Sequence, residues 1–420
     1  MQFEQYPSYK NSGVEWLGDV PEHWQVKPNK YVFKIQKRIA GTLGFNVLSI
    51  TQKGLKIKDI ESNAGQMAQD YSKYQIVNIG DFAMNHMDLL TGWIDIAKVK
   101  GVTSPDYRVF EVRNKKVNKE YFLHLFQLGY RNKILFAFGQ GAAQMGRWRL
   151  QSETFNTLKM PFPSIEEQEK IVAFLDTETA RIDTLIAKQE KLIELLEEQR
   201  KSIISHAVTK GLNPNAPMKD SGVEWLGDVP ESWVEQKIKF ISKLINEKTS
   251  EKSNVIALEN IESWTGKYIE TESSFESDAV KFKKNDVLFG KLRPYLAKVY
   301  LVENQGEAVG DIYVLRPNKL IHPQFLKFFM LSEKFIDYVN SSTNGTKMPR
   351  ANWDFIGCIS IFLPHIKVQH EIVEYLESAV LKIELIINKQ ISLIEKLKEY
   401  RSSIISHAVT GKIDVREFGA

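Results

Sequence analysis

Residues 165–207 read IEEQEKIVAFLDTETARIDTLIAKQEKLIELLEEQRKSIISHA. Neither Gly nor Pro interrupts the run. Its apolar residues fall on two rows of seven-residue spacing. One row is Val172, Thr179, Ile186, Ile193 and Arg200; the other is Leu175, Ile182, Gln189, Leu196 and Ile203. This heptad pattern predicts a helix that buries a narrow stripe against a second helix. The same chain supplies that second helix. Positions 201 further on read Val373, Val380, Ile387, Ile394, Arg401 and Leu376, Ile383, Gln390, Leu397, Ile404. Nine of the ten pairs are identical, so the two stretches answer to the same packing requirement. Two helices of about 43 residues, roughly 65 Å each at 1.5 Å per residue, are expected to pair.

A second repeat lies outside the helices. SGVEWLGDVPE occurs at 12–22 and again, unchanged, at 221–231. Trp24 and Trp233 follow in register, and Trp16 and Trp225 sit within the strings as anchors for their loops. The chain therefore alternates a domain with a helix, twice. The expected boundaries are 1–160, 161–210, 211–360 and 361–420.

Within the first domain, Phe45–Ile50, Tyr74–Ile79, Asp81–Met84, Trp93–Val99 and Tyr107–Val112 read as strands, and Glu120–Tyr130 and Asn132–Phe138 as helices. The second repeats this order with little identity. Its strands are Val255–Leu258, Ala279–Phe282, Val287–Phe289, Ala297–Val302 and Ile312–Leu315, and its helices Pro323–Leu331 and Glu333–Asn340. Landmarks align between the domains: Gly80-Asp81 with Asn285-Asp286, Tyr107 with Tyr313, Tyr121 with Phe325, and Arg147 with Arg350.

The fold class is thus α+β. Two β-rich domains alternate with two long helices, which pair as an antiparallel intramolecular coiled coil with pseudo-two-fold symmetry. Antiparallel follows from connectivity, because the second helix starts at the domain where the first one ends. Gln189 and Gln390 are expected to form a buried polar layer that fixes register.

Composition narrows the function. The hydrophobic share, 43%, is ordinary for a globular protein. No apolar run is long enough to span a bilayer and the N-terminus lacks a signal-peptide layout, so a cytoplasmic location is expected. The lone Cys358 excludes a disulfide framework. Of the net charge of +4, residues 1–160 carry an excess of 22 Lys/Arg over 14 Asp/Glu. That excess favours, weakly, a polyanionic partner. No phosphate-binding glycine loop, metal-ligand spacing or nucleophile–base set is present, which points to a binder rather than an enzyme.

Two diverged domains, two matching helices, the duplicated SGVEWLGDVPE, the helix endings RKSIISHAVT (200–209) and RSSIISHAVT (401–410), and the lead-ins Pro163-x4-Gln168 and Pro364-x4-Gln369 together resemble the specificity subunit of a type I restriction–modification system. The resemblance spans the whole chain. It implies that each domain is a target-recognition domain for one half of a split, asymmetric DNA site. The helices would space the domains and dock modification subunits, two in number. The chain itself would be non-catalytic and bind no cofactor. S-adenosylmethionine for adenine-N6 methylation, and ATP and Mg2+ for the restriction subunits, would reside on those partners.

Candidate DNA contacts lie in loops that match between domains: Asn85 and His86; Gln144, Arg147 and Arg149 in GQGAAQMGRWR (139–149); Lys291 and Arg293; and Lys347 and Arg350 in NGTKMPR (344–350). Arginines there suit phosphates or a guanine edge, and Gln144 suits an adenine. The family has a Gly-Ser/Thr stretch in this loop. Gly345-Thr346 matches it and Gly141-Ala142 departs from it. The rival readings are a coiled-coil scaffold without DNA affinity, which leaves the two β-rich domains unexplained, and a standalone enzyme, which no motif supports.

Overall fold

The heptad stretches fold as two uninterrupted helices, Ile165–Lys210 and Ile366–Val409, in a computed structural model of the chain. The structure describes residues 3–60, 70–113, 116–141, 148–251, 253–271, 279–343 and 348–418. Contacts divide the chain into two units. Unit 1 comprises Met1–Ala187 and Ile394–Ala420, and unit 2 comprises Lys188–Leu393. Each unit thus holds one β-rich domain and a segment of each long helix.

In unit 1, Leu175, Ile182 and Ile404 are buried in the main core, with Ile186 and Leu397 packed against it. Asp183 accepts two hydrogen bonds from the Arg401 guanidinium, at 2.9 and 3.2 Å. In unit 2, Leu196 packs with Ile383 and Ile387, flanked by Ile193 and Ile203, while Leu376 joins that unit's larger core. In both units a segment running up in number meets one running down, so the helices pair antiparallel. Gln189 and Gln390 depart from the expectation. Both are only half-buried, and neither makes a side-chain hydrogen bond among the described residues. A half-exposed amide keeps its water, so it enforces register weakly, and the aliphatic rows carry the seam.

The duplicated strings explain each other. Both helices end on a left-handed glycine, Gly211 (φ +78°) and Gly411 (φ +73°), the conformation a helix C-terminus needs to turn away. The Lys210 ammonium donates to the carbonyls of Leu226 and Asp228, and Lys412 donates to those of Leu17 and Asp19. Leu17 and Asp19 lie in the first SGVEWLGDVPE, Leu226 and Asp228 in the second. The string is the receptor for a helix end, and it meets a lysine on either side of the terminal glycine, Lys210 before Gly211 and Lys412 after Gly411. Trp24 and Trp233, both buried, complete the two sockets. In unit 1 the fit is tighter, because a Cβ on Gly411 would meet Pro21 at 2.4 Å.

The Pro-x4-Gln lead-ins also have a structural role. Gln168 is fully buried; its Oε1 accepts from Asn118 N (2.8 Å) and its Nε2 donates to Pro163 O (2.9 Å). Gln369 repeats this with His322 N (2.8 Å) and Pro364 O (3.0 Å). Each glutamine ties the start of a long helix to the start of the domain's main helix, Lys119–Arg131 or Pro323–Leu331.

Each domain is built on a four-stranded antiparallel sheet of the same order. In unit 1 it runs Phe33–Gln36, Arg108–Val112, Phe82–Met84, Ile94–Ile96; in unit 2, Ser242–Ile245, Ile312–Pro317, Val287–Gly290, Val299–Leu301. The outer strands Phe33–Gln36 and Ser242–Ile245 were not expected from the sequence. The Gly80-Asp81 and Asn285-Asp286 landmarks are equivalent turns. The first residue takes φ +84° or +71°, and the aspartate accepts from the backbone N–H three residues earlier at 2.8 Å. Among the described residues no helix is long and apolar enough to cross a membrane.

Candidate nucleic-acid interface

In unit 2 the central strand Ile312–Pro317 starts where three segments meet. Lys291 N donates to Asp311 O (2.9 Å), Ala351 N to Lys291 O (2.8 Å) and Arg293 N to Pro349 O (2.8 Å). This backbone lattice gathers Lys291, Arg293 and Arg350. The Asp311 carboxylate lies between two of them, accepting from Arg350 Nη2 at 3.0 Å and sitting 3.7 Å from Lys291 Nζ. The same ammonium stands over the Tyr313 ring, 5.3 Å from its centroid. The Arg293 guanidinium has no hydrogen bond or ion pair among the described residues. Arg293 and Ala297 both adopt left-handed backbone, at φ +49° and +46°, around the short helical turn Pro294–Leu296. Non-glycine residues are held that way only by surrounding structure. The turn presents Tyr295 to solvent.

Strand register defines the equivalent place in unit 1. Arg108 lies opposite Met84 as Tyr313 lies opposite Phe289. Both side chains then do the same thing: Arg108 Nη2 donates to Leu150 O (2.9 Å), and Tyr313 Oη to Ala351 O (3.1 Å). Leu150 N donates to His86 O (3.0 Å), as Ala351 N does to Lys291 O. His86 therefore stands where Lys291 does, and Arg149 where Arg350 does. This corrects two sequence alignments. Tyr313 corresponds to Arg108 rather than Tyr107, and Arg350 to Arg149 rather than Arg147. Matching letters had outweighed backbone pairing, which is what the fold preserves.

The unit 1 cluster is electrostatically unlike its counterpart. Arg108 is 3% exposed, leans on the Phe155 ring, and leaves Nη1 without a partner among the described residues. Burial lowers its pKa to about 10. The His86 imidazole, with a buried and unpartnered Nδ1, is pushed down to about 3, first by burial and then by Arg108 and Arg149. It is a neutral group set among arginines. Arg149 exchanges two backbone hydrogen bonds with Gln140 (2.8 and 3.0 Å), closing the foot of the loop between them. Asn85 is less free than expected. Its Oδ1 caps its own turn at Met87 N (3.2 Å), and its carbonyl accepts from Tyr130 Oη (2.6 Å).

The structure thus brings Asn85, His86 and Arg149 together in unit 1, and Lys291, Arg293 and Arg350 together in unit 2. Gln144, Arg147 and Lys347 lie outside the described residues. Sequence reasoning missed Arg108, Asp311 and Tyr295. Only the Gly310-Asp311 step, a turn at the head of a strand, carried any signal of them.

Comparison with known proteins agrees with this architecture. The family model for the type I restriction modification DNA specificity domain matches residues 21–195 and again 230–396. The chain is 25% identical to the type I restriction enzyme EcoDI specificity subunit of Escherichia coli, over 61% of this chain and 62% of that protein. It is also 25% identical to the MjaVIII specificity subunit of Methanocaldococcus jannaschii, over 94% of each. Among solved structures, a chain of a type I R-M system studied for its assembly and conformational transition superposes with a TM-score of 0.67 at 14% identity, covering 93% of this chain and 98% of that one. The HsdS subunit of Thermoanaerobacter tengcongensis gives 0.56 at 14% identity, covering 94% and 98%. With both β-rich domains matched by one family model in succession, the chain belongs to the type I restriction modification DNA specificity domain family.

Proposed function

We propose that this chain is the sequence-reading subunit of a type I restriction–modification assembly, each domain reading one half of a bipartite, asymmetric DNA site. One observation carries the reading. In both domains, distant segments converge on the same end of the central strand, and there they place cationic or hydrogen-bonding side chains: Lys291, Arg293 and Arg350 in unit 2, His86, Arg108 and Arg149 in unit 1. Forked guanidiniums read guanine edges or clamp phosphates, and a neutral imidazole donates or accepts at a base. The chemistry differs between domains while the scaffold is kept, as two unlike half-sites require.

The paired helices set the spacing and carry docking surfaces for two modification subunits. Those subunits bring S-adenosylmethionine and transfer the methyl group to adenine N6, and restriction subunits bring ATP and Mg2+. This chain contributes specificity and no catalytic group. Gln144, Arg147 and Lys347, in GQGAAQMGRWR and NGTKMPR, are proposed to add to these contact sets. The test is methylome sequencing of cells with and without the chain. A bipartite adenine mark that disappears with it supports the reading, and an unchanged methylome refutes it.

A further inference from the structure

Beyond the duplicated SGVEWLGDVPE the two domains diverge widely, yet a further exposed feature is kept. Just before the first strand of each sheet, Lys30-Tyr31-x-x-Lys34 in unit 1 corresponds to Lys239-Phe240-x-x-Lys243 in unit 2. The correspondence is structural. Arg113 N donates to Val32 O and Asn318 N to Ile241 O, both at 2.9 Å, fixing the two turns alike. Tyr31 is 62% exposed and Phe240 60%. Each has its preceding lysine ammonium over the ring, at 5.1 and 5.5 Å. No ring partner and no ion pair covers these aromatics or lysines among the described residues. The interior of the same turn has changed instead: Asn29 has become Ile238, and Phe33 has become Ser242, all four buried.

That pattern inverts the usual one. Buried positions are normally held by packing, and exposed ones drift unless something touches them. What sets this aromatic apart is its recurrence at the same exposed place in both turns. Whatever covers this one meets both domains in the same way.

Position separates protein from DNA as the occupant. In unit 2 the feature lies at the Pro317 end of the central strand, where Ser242 pairs with Pro317 and Asn318 Nδ2 donates to Phe240 O (2.8 Å). The cluster of Lys291, Asp311 and Arg350 lies at the Ile312 end, five residues away, roughly 16 Å of strand at about 3.3 Å per residue. Unit 1 repeats this: Arg113 Nε donates to Lys30 O (2.8 Å), beyond Val112, whereas Arg108 begins the strand. Two unlike half-sites also give no reason to keep one aromatic in both readers. A phenylalanine offers a duplex backbone nothing to accept or donate, whereas aromatics flanked by charge are typical anchors of protein interfaces.

We infer that Tyr31 and Phe240 are equivalent docking knobs, each inserting into one copy of the same partner protein, at an apolar pocket rimmed by carboxylates that meet the flanking lysines. Resting on the function proposed above, that partner is the modification subunit, bound once per domain. The test uses the full chain with the modification subunit of its own system, followed by native mass spectrometry and titration. The wild type should hold two copies. Tyr31→Ala should weaken one copy by about 30-fold, Phe240→Ala the other, and the double variant both. Tyr31→Phe and Phe240→Tyr should keep two copies, which separates docking from folding. DNA affinity of the chain alone should stay within about twofold of wild type. Two full-affinity copies on the double variant would overturn the proposal, as would a fall in DNA affinity with both copies retained. If the wild type bound neither DNA nor partner, the proposed function itself would fall, and the knobs with it.

Discussion

The reading ends of the two domains share a backbone and differ in electrostatics. In unit 2 two cations are held by a carboxylate, with Asp311 between Lys291 and Arg350. In unit 1 the same positions hold a neutral imidazole and Arg149, and Tyr313 is replaced by the buried cation Arg108. On the proposed function, that carboxylate would weaken contact with phosphates while restraining the arginine fork it binds. Asp311 thus trades general attraction for orientation. Unit 1 has taken another course: its imidazole is kept uncharged by burial and by neighbouring arginines, so it offers hydrogen bonds without adding charge. One scaffold can therefore be tuned toward base recognition by two unrelated electrostatic means.

The comparison can be broken or sharpened at four places. The largest effect is expected at the helix sockets. Gly411→Ala must adopt left-handed backbone and also push Pro21, so unit 1 should lose about 2–4 kcal/mol. Gly211→Ala meets only the Trp233 ring edge at 3.3 Å, and should cost unit 2 about 1–2 kcal/mol. Thermal melts of the two variants compare them, and equal losses would make the close approach of Pro21 irrelevant. Next is the position shared by Arg108 and Tyr313. Arg108→Ala removes a charged donor from Leu150 O and should cost about 2–3 kcal/mol, against about 1 kcal/mol for Tyr313→Phe. Denaturant titration decides between them.

The third prediction concerns binding. Asp311→Asn should free Lys291 and Arg350 for phosphates, raising non-specific DNA affinity by about tenfold and steepening the salt dependence by about one to two units. Discrimination should fall for base changes in one half-site only, measured by competition between duplexes. A flat response in both salt slope and discrimination would remove Asp311 from the interface. The last prediction concerns pH. The folded-state pKa of His86 is below its unfolded value, so between about pH 6.5 and 3 the unfolded chain binds the extra proton. Stability should then decline as pH falls through that window, by at most about 1.4 kcal/mol per pH unit for this group. His124, pushed down to about 4 by burial, Arg131 and Arg401, acts in the same direction. His86→Gln should flatten the melting-temperature profile between pH 7 and 4.5, and an unaltered profile would show that His86 titrates alike in the folded and unfolded chain.

Much of the frame was legible because its requirements are periodic or duplicated. The heptads gave both helices; SGVEWLGDVPE and the helix endings occur twice because they contact each other, and the Pro-x4-Gln lead-ins because each fastens a long helix to its domain's main helix. Three of the four strands in each domain's main sheet could be read from β-branched alternation, but most of the short strands around them could not. The candidate interface was harder, because it is assembled by strand register. Choosing Tyr107 over Arg108 changes no composition and breaks no pattern, yet it moves a side chain to another face of the strand. Asp311 escaped notice because an acid is not sought in a DNA-facing loop. Tyr295 depends on two left-handed residues, Arg293 and Ala297, that no glycine advertises. The glutamine pair failed for a different reason. Polar residues on a heptad seam suggest an enclosed layer, but the enclosure depends on helix separation, which spacing does not specify.

The lysine that closes each helix end grips main-chain carbonyls, at Leu17 and Asp19 or at Leu226 and Asp228. Such a fastening is blind to whatever side chains the adjoining domain carries. A gene segment encoding a foreign reader could be spliced in between the Trp24 and Pro163 positions, or between Trp233 and Pro364, and meet the same coupling. New target sequences would then arise by exchange of whole modules, with the joinery inherited unchanged.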